Sequence, residues 1–198
     1  KNIWVGSKPT SLDFTSSGDT LFAGLEGSSQ IALIDMNTLE VIGYFQTDMD
    51  NPYDIAVVPG NRMVVSYMSS NPSLNRTKLY QWSTIEDSIV FEPLTIPPYN
   101  FIDYIDLAGP LTIIEDSNAP GEYLLYLMDK FQGTPIGVHK FQIKDEGLWE
   151  QGNISSSHMA DNVSLYDIEY VPNYGVLLIV FSLIVKIVVY PLTKKSYL

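Results

Sequence analysis

The sequence predicts an all-β chain of about four similar four-stranded antiparallel modules, and three observations predict it. Short apolar runs of period two alternate with Gly/Ser/Asn/Asp clusters along the 198 residues, which is how short antiparallel strands joined by turns are spelled. The spelling also recurs. Asp54–Val65 lines up with Leu12–Phe22, Asp167–Leu178 copies it closely, and Leu111–Tyr126 is a looser copy with a longer turn. The third observation is the spacing, because the copies start at Leu12, Ile55, Leu111 and Ile168, which are 43, 56 and 57 residues apart. Repeats of about 40–50 residues with four strands each are the blades of a β-propeller. A single small sheet cannot bury both of its faces, so such modules must stack face to face.

The first module is spelled in full by Ser11–Phe45. Leu12 and Phe14 alternate with polar neighbours, Ser16-Ser17-Gly18-Asp19 turns, and Leu21-Phe22-Ala23 returns. Glu26-Gly27-Ser28-Ser29 turns again before Ile31–Ile34, and Asp35-Met36-Asn37-Thr38 precedes Leu39–Phe45. Ahead of it, Ile3-Trp4-Val5 reads as a lone strand in the place of the last strand of a preceding blade. Two readings follow. The chain is a section of a larger ring, or residues 1–6 pair with the final blade and close a four-bladed ring, hiding two sheet edges. The expected blades span 7–51, 52–103, 104–160 and 161–198.

In the second module, Thr77–Thr84 and Ile89–Ile96 are the expected outer strands. Pro97-Pro98 stops the last one because proline lacks the ladder donor. The aromatic and acidic stretch Tyr99–Pro110 reads as a long inter-blade loop, with a binding loop at the ring mouth as the functional alternative. The third module has inner strands at Leu111–Glu115 and Glu122–Met128, then Ile136–Ile143 and Leu148-Trp149-Glu150. His139 alternates along its strand and His158 falls in a polar loop, and neither has a metal-like spacing to a second ligand. Gly175–Tyr190 is the most apolar run. It is shorter than the roughly 20 residues a spanning helix needs, it is rich in β-branched residues, and it copies inner strands whose two faces are covered. No membrane span is expected; the alternative is a helix extended to Leu192 with Lys194-Lys195 as its anchor.

Asn2–Phe45 resembles the YVTN-type repeat through Pro9, Gly18, Leu21, the Ile31–Asp35 strand and the Asn37–Val41 turn. That family forms propellers of about seven blades, related in shape to WD-repeat proteins. Leu21-Phe22-Ala23-Gly24 stands where the family tetrapeptide would be. A WD-repeat assignment is not supported, since the chain has no Trp-Asp and no Gly-His pair. The resemblance implies a propeller and a choice among cell-surface proteins, lactonase-like enzymes and binding scaffolds.

Composition narrows the function. The formal charge is −12, with only 11 Lys and Arg and no basic cluster, which argues against nucleic acid as a partner. There are no cysteines, so disulfide, thiolate-metal and Cys-nucleophile chemistry are excluded. No phosphate cradle, nucleophile elbow or zinc motif occurs. The turns entering innermost strands gather at one end of a propeller's channel, and they hold Asp48, Asp50, Asp103, Asp106 and Asp161. Carboxylates converging there could take a hard cation such as calcium, whereas the plainer reading makes them independent turn residues. Three glycosylation sequons, at Asn75, Asn153 and Asn162, fall in expected loops or strand starts. They favour an extracellular or cell-surface protein over a cytoplasmic one. The expected function is therefore a non-enzymatic scaffold whose partner is another protein or the remainder of the propeller. The alternative is a lactonase-like or hydrolase propeller with a cation at the channel mouth.

Overall fold

The computed structural model describes residues 2–47, 51–71, 74, 76–85, 88–94, 104–128, 137–144 and 147–155. All lie in the first of two compact units, Lys1–Ile168; the second, Glu169–Leu198, falls outside the described residues. The described residues form three consecutive sheets in which each strand pairs antiparallel with the next. The first contains β1 (Pro9–Phe14), β2 (Thr20–Leu25), β3 (Gln30–Asp35) and β4 (Glu40–Gln46). The second contains β5 (Pro52–Val58), β6 (Arg62–Tyr67), β7 (Arg76–Ile85) and β8 (Ser88–Pro93). A two-residue strand, β9 (Tyr104–Ile105), also pairs with β7. The third contains β10 (Leu111–Glu115), β11 (Tyr123–Met128), β12 (Gly137–Lys144) and β13 (Gly147–Ser155).

The turns follow from their residues. Asp35 Oδ1 accepts the backbone N–H groups of Asn37 (2.7 Å) and Thr38 (3.0 Å), folding the chain back between β3 and β4. Asp116 does the same for Asn118 between β10 and β11. A short polar side chain that mimics a backbone turn is why these positions are Asp.

Face-to-face stacking of the sheets creates the core, as two separate clusters show. Phe22, Ile31 and Leu33 of the first sheet meet Ile55, Met63, Val65, Tyr67, Tyr80 and Trp82 of the second. The opposite face of the second sheet, with Ala56, Val58, Val64 and Leu79, meets Leu111, Leu125, Leu127, Phe141 and Ile143 of the third. Residues 55 and 56, or 64 and 65, therefore point to different neighbours, as the two-residue strand period requires. The first joint is strongly aromatic. Phe22 lies 5.1 Å from Trp82 between ring centroids, and Phe45 stacks on Phe91 at 4.2 Å. Inside it, the hydroxyls of Tyr67 and Tyr80 are 2.9 Å apart, so the buried phenols bond to each other. Successive four-stranded antiparallel sheets covered in this way are the blades of a propeller.

Three expectations change. Tyr99–Pro110 is not all loop, because β9 forms at its centre. β7 is ten residues long, and β8 pairs with it from Tyr80 onward, which leaves its edge free for Ile105 at Thr77 and Tyr104 at Lys78. β8 ends at Pro93, four residues before Pro97. Ile3-Trp4-Val5 forms no ladder among the described residues. Ile3 and Val5 instead pack on the outer face of the first sheet, against Ala23, Leu25, Ala32 and Ile34. The expected fourth blade, 161–198, and the apolar run 175–190 lie outside the described residues. No helix among the described residues is long and apolar enough to cross a membrane.

Candidate functional site

Of the five carboxylates expected at the channel mouth, Asp106 alone is described. Its carboxylate is exposed and ion-paired at 2.9 Å with Arg76, whose side chain is largely buried. Asp48, Asp50, Asp103 and Asp161 lie outside the described residues. Among the described residues no group of three His, Cys, Asp or Glu side chains is placed to hold a metal. Asn75 and Asn162 also lie outside. Asn153 lies near the end of β13, opposite His139 of β12, where the sequence suggested a loop or a strand start. His158 lies outside, while His139 stacks near Phe141 at 6.4 Å between centroids.

The structure brings together a different set of polar groups, at the joints between sheets. The innermost strand of each sheet has one edge without a strand partner, so its N–H groups need acceptors. Asp13 on β1 supplies one. Its Oδ1 accepts the N–H of Phe14 (2.8 Å) and its Oδ2 accepts the N–H of Val57 on β5 (2.6 Å). Asp54 on β5 repeats the arrangement, accepting from Ile55 (2.9 Å) and from Leu111 on β10 (2.7 Å). Each carboxylate thus ties its own strand to the innermost strand of the next sheet. Burial pushes the Asp13 carboxyl above its ordinary value, against the opposing pull of the two N–H groups. An Asp interrupting an apolar inner strand is the sequence signal that accompanies this tie.

Side-chain hydroxyls reinforce the joints. Thr10 Oγ1 donates to the carbonyl of Pro52 at 2.8 Å. Buried Thr77 donates to the carbonyl of Leu107 (2.7 Å), and buried Ser66 accepts the N–H of Gly109 (2.9 Å). Together with the Arg76–Asp106 pair, these bonds fix the segment that leads into β10.

Among the described residues, part of the outer face of the first sheet is exposed. Leu12 pairs with Ala23, the fourth residue of β2, as Ile55 pairs with Val65, the fourth residue of β6. The two positions are equivalent, yet Ile55 is 4% exposed against the first sheet and Leu12 is 62% exposed. Phe14, in the place of Val57, is 48% exposed. Exposed Tyr44 continues the row of Leu12, Ala23 and Ala32 across the same face.

Comparison with known proteins places the chain by its fold. No family model and no curated protein sequence matches it. Among solved structures, Kuenenia stuttgartiensis hydrazine synthase superposes with a TM-score of 0.52 at 14% identity, over 76% of this chain and 44% of that one. The β-propeller domain of Myceliophteria thermophila Cps50 (Swd1) gives 0.48 at 13% identity, over 74% and 43%. A Bacteroides fragilis protein described as a candidate 6-phosphogluconolactonase gives 0.48 at 17%, over 76% and 40%. At such identities a likeness speaks to the fold alone. With its own stacked sheets, the chain is a β-propeller, in an arrangement consistent with an open section of a ring. It spans less than half the length of these three solved chains.

Proposed function

We propose that this chain is a non-enzymatic, YVTN-like propeller scaffold that offers its sheet faces and loops to a protein partner. The observation that carries the reading is the exposed pair Leu12 and Phe14, on a face whose counterpart in the second blade is buried by a neighbouring sheet. Contiguous apolar surface of this kind marks an interaction site. Purifying the protein from its native source and incubating it with simple lactones tests both readings together. A protein partner held at fixed stoichiometry, with lactones untouched, is expected. Lactone opening above the buffer rate, with no protein held, favours the enzyme alternative. In that alternative Asp48, Asp50, Asp103, Asp106 and Asp161 would hold calcium, and a chelator would lower the thermal midpoint.

We place the protein outside the cell or on its surface. The three sequons support this, and Asn153 sits on β13, which has no further strand beside it among the described residues. Enzymatic deglycosylation of natively sourced protein should lower its mass; a mass equal to the bare chain overturns the assignment.

A further inference from the structure

We infer that the outermost strand of the second blade is one strand interrupted by an insertion, residues 95–103, which the fold does not need, whether or not the chain is a scaffold.

Three observations converge on it, all from residues on either side of the insertion. The first is register. β8 runs along β7 with Pro93 opposite Tyr80, and Leu94 continues the line by donating its N–H to the carbonyl of Leu79 at 2.8 Å. The next place along β7 is Lys78. Tyr104 takes it, and Ile105 follows opposite Thr77. The other edge of β7 is already held by β6, with Val65 at Lys78 and Ser66 at Thr77, so β9 extends the line of β8. Leu94 and Tyr104 thus occupy adjoining places on one edge, although nine residues separate them in the chain.

The second observation is alternation. Along a single strand every second side chain faces the same way. Leu94, Ile105 and Leu107 all pack on the core between the second and third sheets. With 95–103 left out of the count, these three fall at successive alternate places. On the opposite face, Ile89 and Phe91 keep the same alternation against the first sheet. The third observation is that the pairing runs on past β9. Asp106 comes next, at the place opposite Arg76, and the two form their ion pair at 2.9 Å. Thr77 then donates to the carbonyl of Leu107.

An extra residue kept within a strand would turn every later side chain to the wrong face. A segment whose ends return to adjoining places turns none of them, and the entropy of closing a loop grows only slowly with its length. The base of this segment, Leu94 and Tyr104, stands on the outermost strand. Three strand spacings, about 14 Å, separate that strand from innermost β5. The insertion therefore springs from the rim of the blade and not from a turn at the ring mouth.

Two deletions test this. Removing residues 95–103 joins Leu94 to Tyr104 in register. Removing residues 95–104 takes one residue more and brings Ile105 opposite Lys78, which turns Ile105 and Leu107 away from their core and draws Asp106 off Arg76. Thermal midpoints, and hydrogen exchange of β7 and residues 104–107, are read on both and on the full chain. The shorter deletion should melt within about 4 °C of the full chain and keep its protection. The longer one should melt at least about 4 °C below the shorter and lose protection at 104–107. Replacing 95–103 with nine Gly and Ser residues covers a direct join that fails to fold.

If both the shorter deletion and the replacement melt far below the full chain, the fold uses residues 95–103 and the inference is overturned. If the shorter deletion alone does so, Leu94 and Tyr104 do not adjoin, which overturns it equally. Equal midpoints for the two deletions would overturn the single-strand register.

Discussion

Asp13 and Asp54 are the residues on which the joints turn. Removing the Asp54 side chain leaves the N–H groups of Ile55 and Leu111 without this acceptor. An orphaned buried donor costs about 1–3 kcal/mol, so Asp54→Ala should lower the unfolding free energy by about 2 kcal/mol in a denaturant titration. Asp13 has a pH signature. Its folded-state pKa lies above the ordinary 3.8 because of burial, so between the two values the folded state binds more protons than the unfolded state. Its contribution to stability therefore falls as pH rises through that window. The thermal midpoint of the wild type relative to Asp13→Asn should be most favourable below pH 3.8 and should decline above it. Asp19 has the opposite sign: Ser17 and Thr15 hydroxyls hold its carboxyl below the ordinary value, and what it contributes is lost as pH falls through its folded value. Ser11 shows a different economy. Its Oγ is buried with no hydrogen-bond partner, and a Cβ on Gly24 would lie 2.7 Å from it. Ser11→Ala should be neutral or stabilising by up to about 1 kcal/mol. Gly24→Ala should be destabilising alone and less so in the Ser11→Ala background, a coupling that a double-mutant cycle on thermal midpoints would read.

At the scale of strands and sheets, equivalent positions should behave unequally. Ile55 and Leu12 occupy the same place in successive sheets, one buried and one exposed. Ile55→Ala should cost about 2–4 kcal/mol, within the range for large-to-small core changes. In the isolated chain Leu12→Ala should stay within about 0.5 kcal/mol, the usual limit for surface changes. Chemical denaturation of both variants checks the contrast; equal losses would mean that Leu12 is covered after all. This scale was also the most legible from sequence. The Leu12–Phe14 alternation, the Asp35–Thr38 turn and the copied Asp54–Val65 run each encode strand and turn locally, and the sheets follow them. What was not legible depends on lengths and edges in space. β9 exists because β8 is shorter than β7, and no local pattern in Tyr104-Ile105 announces it. The end of β13 near Asn153 is set by pairing with β12, which overrides the polar spelling of Gly152–Ser155. The turn preference of Asp is what singles out Asp106 in the sequence; that Arg76 reaches it depends on a fold contact 30 residues away.

For the molecule as a whole, each sheet is a local meander, and the sheets meet only through their faces and their carboxylate ties. Pairing between strands adjacent in sequence keeps each sheet's ladder within one module, which favours formation of individual sheets before the joints between them. The joints close a longer loop in each case, as the spacing from Asp54 to Leu111 shows. Repeat arrays of this kind behave as modules coupled to their nearest neighbours. Substitutions at the second joint, such as Leu125→Ala, should therefore leave hydrogen-exchange protection within the first sheet largely intact while lowering it in the third. Uniform loss across all three sheets would show a single cooperative block.

The aromatic packing between the first two blades has an optical consequence. Trp82 is held 8% exposed among Phe22, Phe91 and their neighbours, while Trp4 stands almost wholly in solvent. With Trp149, the third tryptophan of the chain, replaced by Phe, the Trp82 indole will emit in the blue and resist iodide, and that of Trp4 will emit in the red and quench readily. The molecule thus carries a native gauge at the joint and another on its outer segment, and separation of the blades can be watched without attaching a dye.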